Sequence, residues 1–247
     1  MEATSTINNA IYSELGERWY QAKDDPIALL RAESRCRNPW IAEQIVHAFG
    51  ERRCNILDVG CGAGFLANDL AQRDHQVVGF DASEESLAVA ARHDSTKSVR
   101  FQTGDAHQLP FSDGAFDVVC AMDFLEHVDD PARVIAEAGR VLAVGGLFFF
   151  HTFNRNFLSW LVVIKGVEWF VKNTPREMHL LRMFLKPKEV ARMCQDAGLR
   201  IEILHGMAPK IGRAFFKMLA SGSVGDDFEF RFGTRTTTGY IGMAQKM

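Results

Sequence analysis

The stretch ILDVGCGAGFLA, residues 56–67, decides the fold. It runs from a hydrophobic strand through Gly60, Gly62 and Gly64 into a helix-forming segment. Glycines let the backbone turn tightly and approach a ligand closely, and open α/β sheets bind ligands at the carboxyl ends of their strands. The spacing is G-x-G-x-G, not the G-x-G-x-x-G that seats a pyrophosphate on a helix N-terminus. A tight turn alone would also need glycines, so the loop is a candidate site that requires further support.

Short β-rich runs alternate with helical stretches around this loop. The predicted strands are Asn55–Val59, Gln76–Phe80, Val99–Thr103, Phe116–Ala121 and Leu147–Phe153. The predicted helices between them cover 66–73, 84–93 and 131–142. This alternation indicates β-α-β units and a parallel sheet that is covered on both faces.

Both flanks of this core have patterns of their own. Residues 7–50 have apolar side chains at helical spacing, with breaks expected at Asp25-Pro26 and Asn38-Pro39. After residue 153 we expect the following elements: an apolar helix over 157–172, a helix begun by Pro187, a strand Leu199–Leu204, a helix over 211–220, and closing strands Phe228–Phe232 and Gly239–Gln245.

Composition excludes several classes of protein. Lys plus Arg is 28 and Asp plus Glu is 31, a formal charge of −3, which argues against a nucleic-acid partner. The longest uncharged stretch, Val141 to Asn154, is too short to span a bilayer, and MEATSTINNA has no signal-peptide pattern. Five cysteines without a C-x-x-C suggest free thiols. We therefore expect a cytoplasmic, core-forming protein.

Two aspartates follow predicted strands in the manner of ligand-binding residues. Asp81 ends the second strand, where a carboxylate can accept both hydroxyls of a ribose. The sequence DASEE also resembles a helix cap, and both roles can hold together. Asp105, in TGDAHQLPF, repeats this placement after the third strand and could bind the exocyclic amine of adenine.

Taken together, LDVGCGAG, GFDAS, GDAHQLPF and FDVVCAMDFLEHV resemble the class I S-adenosylmethionine-dependent methyltransferases over residues 50–155. The resemblance implies a Rossmann-like α/β fold with a mostly parallel seven-stranded sheet and an antiparallel last strand. It implies a single domain over 1–247, with a helical extension (1–50), a cofactor-binding core (51–155) and acceptor-side elements (156–247). It also implies these cofactor contacts: Asp81 to the ribose, Asp105 and Ala106 to adenine, and Asp58, Gly60 and Gly62 around the methionine end.

Two further stretches, at 120–131 and 149–190, resemble the UbiG-type O-methyltransferases of ubiquinone biosynthesis. They read CAMDFLEHVDDP and FFHTFNRNFLSWLVVIKGVEWFVKNTPREMHLLRMFLKPKEV, and RCRNPWIAE near the N-terminus adds to the likeness. The resemblance implies that Arg37 binds the cofactor carboxylate and that the carbonyl of Met122 meets its amino group. After Leu204 the family's G-L-x-Y-N-P is replaced by HGMAPKIG. The match therefore supports O-methylation more than it supports a particular quinol.

A cluster after the fourth predicted strand is a candidate metal site. On a helical turn Asp123, Glu126 and His127 would share one face, and carboxylates with an imidazole suit Mg²⁺, Mn²⁺ or Zn²⁺. The same L-E-H-V also occurs at the strand–helix turn of methyltransferases that need no metal. The resemblance favours a divalent ion, with His179 as the distant ligand. Asp123 stands where the family has glutamate, a longer side chain.

The chemistry requires an aligned and deprotonated oxygen. A phenol has a pKa near 10, which a metal bound to both catechol oxygens would lower. Glu126 and His127 are therefore the predicted catalytic residues, and His127 could instead act directly as the base. His151 is a second candidate base or a residue of the pocket wall.

Two apolar segments suggest a lipid-like substrate. Residues 157–172 carry a narrow charged stripe, and 211–220 has a similar character. Each is either a buried helix or a peripheral contact with the inner face of a membrane. We expect O-methylation of a phenolic or catechol-like hydroxyl, most plausibly on a polyprenyl quinol precursor of ubiquinone. The alternatives are methylation of another phenol or natural product, a non-catalytic cofactor-binding subunit of a membrane-associated complex, and, least favoured, RNA methylation.

Overall fold

The computed structural model of the chain describes residues 9–175 and 177–247. Residues 7 and 8 of the predicted helical segment, and the start of the 1–50 extension, lie outside this described part. Within these described residues, eight strands form one sheet in the order β3-β2-β1-β4-β5-β8-β6-β7. The strands are β1 (Asn55–Val59), β2 (Gln76–Asp81), β3 (Arg100–Thr103), β4 (Phe116–Met122), β5 (Leu142–Phe153), β6 (Leu199–Pro209), β7 (Phe230–Gly233) and β8 (Gly239–Lys246).

The strand directions confirm the predicted fold class. Strands β1 to β5 are parallel, and β8 is inserted antiparallel between β5 and β6. The sheet has one strand more than the expected seven. The reason is that β6 runs beyond the predicted Leu204 to Pro209, and its residues 206–209 pair with β7 at the edge.

The helices lie between and beside these strands. They are α1 (Ala10–Glu14), α2 (Arg18–Gln21), α3 (Ile27–Phe49), α4 (Phe65–Gln72), α5 (Glu84–His93), α6 (Pro131–Val141), α7 (Phe157–Ser159), α8 (Val167–Phe170), α9 (Pro187–Asp196) and α10 (Arg213–Ser221). A π-helix, Trp160–Gly166, joins α7 to α8, so the predicted apolar helix ends at residue 170. Single 3-10 turns cover Leu125–His127 and Leu181–Met183.

The predicted break at Asn38-Pro39 is wrong, because α3 continues through Pro39. A proline inside a helix removes one backbone hydrogen bond and crowds the preceding turn. Here tertiary contacts stabilise the helix on both sides of that residue. Ile41 and Ile45 are fully buried against the sheet, and the Asn38 side chain donates to the carbonyl of Phe65 at 2.9 Å. The other predicted break, at Asp25-Pro26, is confirmed.

The apolar core lies on both faces of the sheet. The three phenylalanines 148–150 are fully buried and alternate between these faces, as successive residues of a strand do. Phe148 and Phe150 pack toward α6 and α9, whereas Phe149 packs toward α3. Helices thus pack on both faces of the sheet. The loops that follow the carboxyl ends of the strands form the site.

Candidate active site

One large cavity, of about 1090 Å³, lies at the carboxyl ends of the parallel strands. It is lined by the following predicted site residues: Arg37, Asp58, Gly60, Gly62, Asp81, Asp105, Ala106, Met122, Asp123, His127 and His179. Glu126 is fully buried and does not line the cavity. These predicted residues come from α3, from the ends of four strands and from a distant loop, and the fold brings them together around the cavity.

The glycine loop between β1 and α4 needs its glycines. Gly60 and Gly62 have φ of +68° and +50°, a region that side-chain-bearing residues rarely adopt. A Cβ on Gly60 would lie 2.2 Å from the Phe124 ring, and one on Gly62 would lie 3.1 Å from Trp19. The Gly60 N–H donates to the carbonyl of Phe80 at 2.8 Å, which fixes the loop to β2.

Asp81, at the end of β2, joins this loop to the next helix. One carboxylate oxygen accepts the N–H of Gly62 at 2.8 Å and the other accepts the N–H of Ser83 at 2.9 Å. Burial raises the pKa of Asp81, and these backbone donors oppose that shift. Each carboxylate oxygen keeps a further acceptor site, so Asp81 can also receive hydroxyl groups from a ligand.

The two other aspartates of the predicted cofactor set lie in different surroundings. Asp58 is buried at the end of β1, and burial raises its pKa to about 7 although Arg37 opposes the shift. Asp105 lies at the rim of the cavity, with its side chain 70% exposed. Its carboxylate accepts the N–H of His107 at 2.9 Å and lies 2.7 Å from the Nδ1 atom of His107.

Asp123 is not placed as the sequence predicted. We expected it to share a metal site with Glu126 and His127, but its carboxylate forms an ion pair with Arg37 and a hydrogen bond with Nδ1 of His151. Its short side chain and its φ of +50° direct it to these partners. Burial alone would raise the pKa of Asp123, but Arg37 and His151 hold it well below its ordinary value. His151 is fully buried, and it does not line the cavity.

Glu126, His127 and His179 form the remaining group, with one ligand atom of each lying within 4.8 Å of the others. One Glu126 oxygen accepts the Thr152 hydroxyl at 2.8 Å. The other, Oε1, is buried and has no hydrogen-bond partner among the described residues. Buried polar atoms are normally paired, so this orphan oxygen marks a place for a further donor or a cation.

The two imidazoles of this group have the protonation state of metal ligands, whereas Glu126 has to lose a proton when it binds a cation. Burial, and then the nearby Asp123, raises the pKa of Glu126 to about 8. Burial lowers the pKa of His127 to about 3, with His179 adding to the shift, and burial lowers that of His179 to about 4. The imidazoles are therefore neutral, the form in which histidine binds metals. One carboxylate and two imidazoles suit a divalent transition ion or Mg²⁺.

The N-terminal helices contribute residues that sequence reasoning missed. Asn9 donates to the carbonyl of His127 at 3.0 Å, and its side-chain oxygen lies 3.2 Å from Nδ1 of the same histidine. Tyr12 stacks on Trp19, with ring centroids 5.7 Å apart, and both line the cavity. The apolar spacing of α1 and α2 predicts helices, but no local motif indicates that they cover His127.

Comparisons with known proteins agree with this geometry. Residues 57–150 match the family model described as a methyltransferase domain. The magnesium protoporphyrin IX methyltransferase of Synechocystis PCC 6803, solved with bound SAH, has a TM-score of 0.67 at 17% identity. The match covers 97% of this chain and 96% of that one, and it shows a shared fold.

Two curated relatives extend the likeness beyond the fold. The ubiquinone biosynthesis O-methyltransferase of Thiobacillus denitrificans is 40% identical over 201 residues, 80% of this chain and 84% of that protein. The one from Hahella chejuensis is 35% identical and covers 90% of both. Fold, glycine loop and family model define an S-adenosylmethionine-dependent methyltransferase. At these identities, the chain belongs to the family of ubiquinone biosynthesis O-methyltransferases.

Proposed function

We propose that this chain transfers a methyl group to a phenolic hydroxyl of a polyprenyl quinol precursor of ubiquinone. The names of its relatives supply the reaction class, and the observation that carries the proposal is the lining of the cavity. The lining includes the glycine loop, His127 and His179, and it also includes many apolar side chains from segments 157–172 and 211–220. A polar head that reacts and a hydrocarbon tail that does not react match these two parts of the lining.

Part of the apolar lining reaches the surface. Val162, Trp169 and Phe170 line the cavity and are also 42%, 63% and 41% exposed. Phe215 and Met218 of α10 continue this apolar wall. Burying hydrocarbon releases about 25 cal/mol per Å² of apolar surface, so this wall favours an acceptor with an isoprenoid tail. In this proposal residues 51–155 hold the cofactor and residues 156–247 form the acceptor side of a single domain.

The cofactor contacts are proposed as the sequence predicts them. Asp81 receives the ribose hydroxyls, and Asp105 with Ala106 contacts the adenine at the rim. Asp58, Gly60, Gly62 and the carbonyl of Met122 surround the methionine end, together with Arg37. The cofactor supplies a methyl group that is already activated on a sulfonium, so the protein's own task is to align the acceptor and remove its proton.

Glu126, His127 and His179 are proposed to hold a divalent cation of the Mg²⁺, Mn²⁺ or Zn²⁺ type. The orphan Oε1 atom of Glu126 and the two neutral imidazoles support this. A bound cation would lower the pKa of a phenol that it contacts. The direct-base role of His127 is less favoured, because a base with a pKa near 3 takes up protons poorly near neutral pH.

Peripheral membrane contact is proposed for the two apolar segments. None of the helices in the described part of the chain is long and apolar enough to cross a membrane. Phe157 and Phe216 are nevertheless 70% and 60% exposed, on segments 157–172 and 211–220. These segments meet in one apolar cluster that includes Val171 and Met218, so they form a common face. Such a face on a cytoplasmic protein would give access to a quinol in the bilayer.

Glu126→Gln tests whether the proposed cation group is separate from the cofactor pocket. The amide keeps the size of the side chain but binds a cation poorly, so turnover should be lost while affinity for S-adenosylhomocysteine (SAH) stays near that of the unmodified protein. Loss of SAH binding would instead make Glu126 part of the cofactor wall.

A second experiment compares a short-tailed demethylubiquinol with a simple catechol as acceptors, and the tailed acceptor should have the lower KM. SAH binding without transfer to any phenol would favour the accessory-subunit alternative.

A further inference from the structure

A buried ion pair lies beside the glycine loop, outside the candidate cation group. Arg37 of α3 pairs with Asp123, which directly follows β4, and their side chains are only 4% and 9% exposed. Both line the cavity together with Gly60. Burying two charges is costly unless further hydrogen bonds compensate. A pair retained in a ligand cavity is best explained by a ligand that uses both charges.

His151 determines where the Asp123 carboxylate points. Its Nδ1 atom is hydrogen-bonded to one carboxylate oxygen, and its backbone carbonyl accepts the Asp123 N–H at 3.1 Å. The second contact holds Asp123 at φ +50°, a backbone region that costs energy for a residue with a Cβ. Met122, the residue before Asp123, is in register with His151 across β4 and β5. Side chain and backbone of Asp123 are thus both fixed by one histidine.

The charges around this pair leave one cation and one anion facing the cavity. Burial, and then the nearby Asp123, raises the pKa of Glu33 well above its ordinary value, which favours its uncharged form. The Nε atom of Arg37 is buried and has no hydrogen-bond partner among the described residues. A guanidinium with a free donor next to a fixed carboxylate is complementary to an amino-acid zwitterion, which carries a carboxylate and an ammonium on the same carbon atom.

We propose that the Asp123 carboxylate, positioned by His151, binds the ammonium of the cofactor's amino-acid end, beside Arg37, which binds its carboxylate. The inference rests on the proposed placement of the cofactor in this cavity, and it is independent of the acceptor. It replaces the metal-ligand role predicted for Asp123 and makes His151 a positioning residue.

A second cation site on these residues is disfavoured. Glu33, Asp123 and His151 do have ligand atoms within 4.8 Å of one another. The guanidinium of Arg37 already neutralises Asp123, however, and a metal ion there would be repelled by it. An organic ammonium can instead share the carboxylate while its own carboxylate faces Arg37.

The test compares two cofactor-derived ligands by calorimetry: SAH, which has the amino-acid end, and 5′-methylthioadenosine, which lacks it. Asp123→Ala and His151→Leu should weaken SAH binding about tenfold, the size of one charge-assisted hydrogen bond. Their affinity for methylthioadenosine should stay within about twofold of the unmodified protein. His151→Asn keeps an N–H close to the position of Nδ1 and should restore most of the SAH affinity.

His75→Leu is the matched control. His75 is also a buried histidine, its Nδ1 accepts the Cys54 N–H at 3.3 Å, and it lies outside the cavity. It should leave the ratio of the two affinities unchanged. The binding of Mn²⁺ alone should also be unchanged in Asp123→Ala and His151→Leu.

Three results would overturn the proposal. Equal losses for SAH and methylthioadenosine would mean general damage to the cavity, and unchanged SAH affinity would mean that Asp123 does not contact the ligand. Loss of Mn²⁺ binding with SAH binding retained would return Asp123 to the cation group. If His151→Leu does not fold, the SAH-to-methylthioadenosine ratio of Asp123→Ala decides. No acceptor takes part, so a wrong acceptor in the proposed function would not affect these outcomes.

Discussion

The hydroxyl of Tyr12 lies 3.4 Å from Nε2 of His127, although 115 positions separate the two residues. The contact places α1 over the candidate cation group. On its other side the Tyr12 ring stacks on Trp19, which in turn covers Gly62. The N-terminal helices thus cover both the predicted cation group and the predicted cofactor loop.

Removing the Tyr12 ring should speed ligand release. Tyr12→Ala loses the ring contacts with Trp19 and His127, each worth about 0.5–1.5 kcal/mol, so SAH should dissociate about tenfold faster. Tyr12→Phe keeps both contacts and should release SAH at nearly the original rate. Stopped-flow fluorescence measures these rates. Equally fast release from both variants would assign the effect to the hydroxyl instead of the ring.

Asp81→Ala should weaken SAH binding by about 10- to 100-fold, because it removes the acceptor for the Gly62 and Ser83 backbone donors as well as the proposed ribose contact. Isothermal titration calorimetry gives the affinity directly. Asp69→Ala is the control, since among the described residues Asp69 of α4 pairs only with Arg73, just after that helix, at 3.2 Å. An Asp81→Ala protein that binds SAH as tightly as the control would contradict the assignment.

Asp58 should make the stability of the cofactor-free protein depend on pH. Its pKa is about 7 in the folded chain against an ordinary value of 3.8, so between these values the folded state binds more protons than the unfolded state. The associated stability is present below the lower value and is lost as the pH rises toward the higher one. Asp58→Asn cannot ionise, and its melting temperature should fall less across this range. Melting curves at a series of pH values test this, and identical slopes for both proteins would refute it.

Charges on the apolar face should reduce membrane binding. Phe157→Asp and Phe216→Asp change exposed side chains that do not line the cavity, and co-sedimentation with phospholipid vesicles should fall about tenfold, since a buried phenylalanine is worth about 1.5–3 kcal/mol. Val144→Asp provides the control, because Val144 is 79% exposed at the start of β5, away from this face. Equal vesicle binding by all three variants would remove the membrane proposal.

Local patterns were enough to predict the core of the fold. The alternation of strands and helices placed β1 at its observed bounds, and the glycine loop and Asp81 followed from short motifs at strand ends. Such features depend on a few neighbouring residues, so the sequence specifies them directly. The continuity of α3 through Pro39 depends instead on tertiary packing, which a local helix-breaking rule does not include.

The partners of Asp123 needed the three-dimensional structure. Its spacing from Glu126 and His127 would place all three on one face of a regular helix, but the chain has φ +50° at Asp123 and only a short 3-10 turn after it. His151 meets Asp123 only through the parallel pairing of β4 with β5, and Arg37 arrives from a helix 86 positions earlier. Tyr12 and Asn9 were missed for the same reason. Only contacts between distant segments assign these residues to the site.

Methyl transfer from labelled S-adenosylmethionine to a short-tailed demethylubiquinol, with and without a metal chelator and with metal then added back, tests the proposed reaction and the cation group together. We expect transfer that stops with the chelator and returns with Mg²⁺, Mn²⁺ or Zn²⁺. Absence of transfer from a protein that still binds SAH would contradict the proposed acceptor. Transfer that continues at the same rate in the chelator would contradict the cation role of Glu126, His127 and His179.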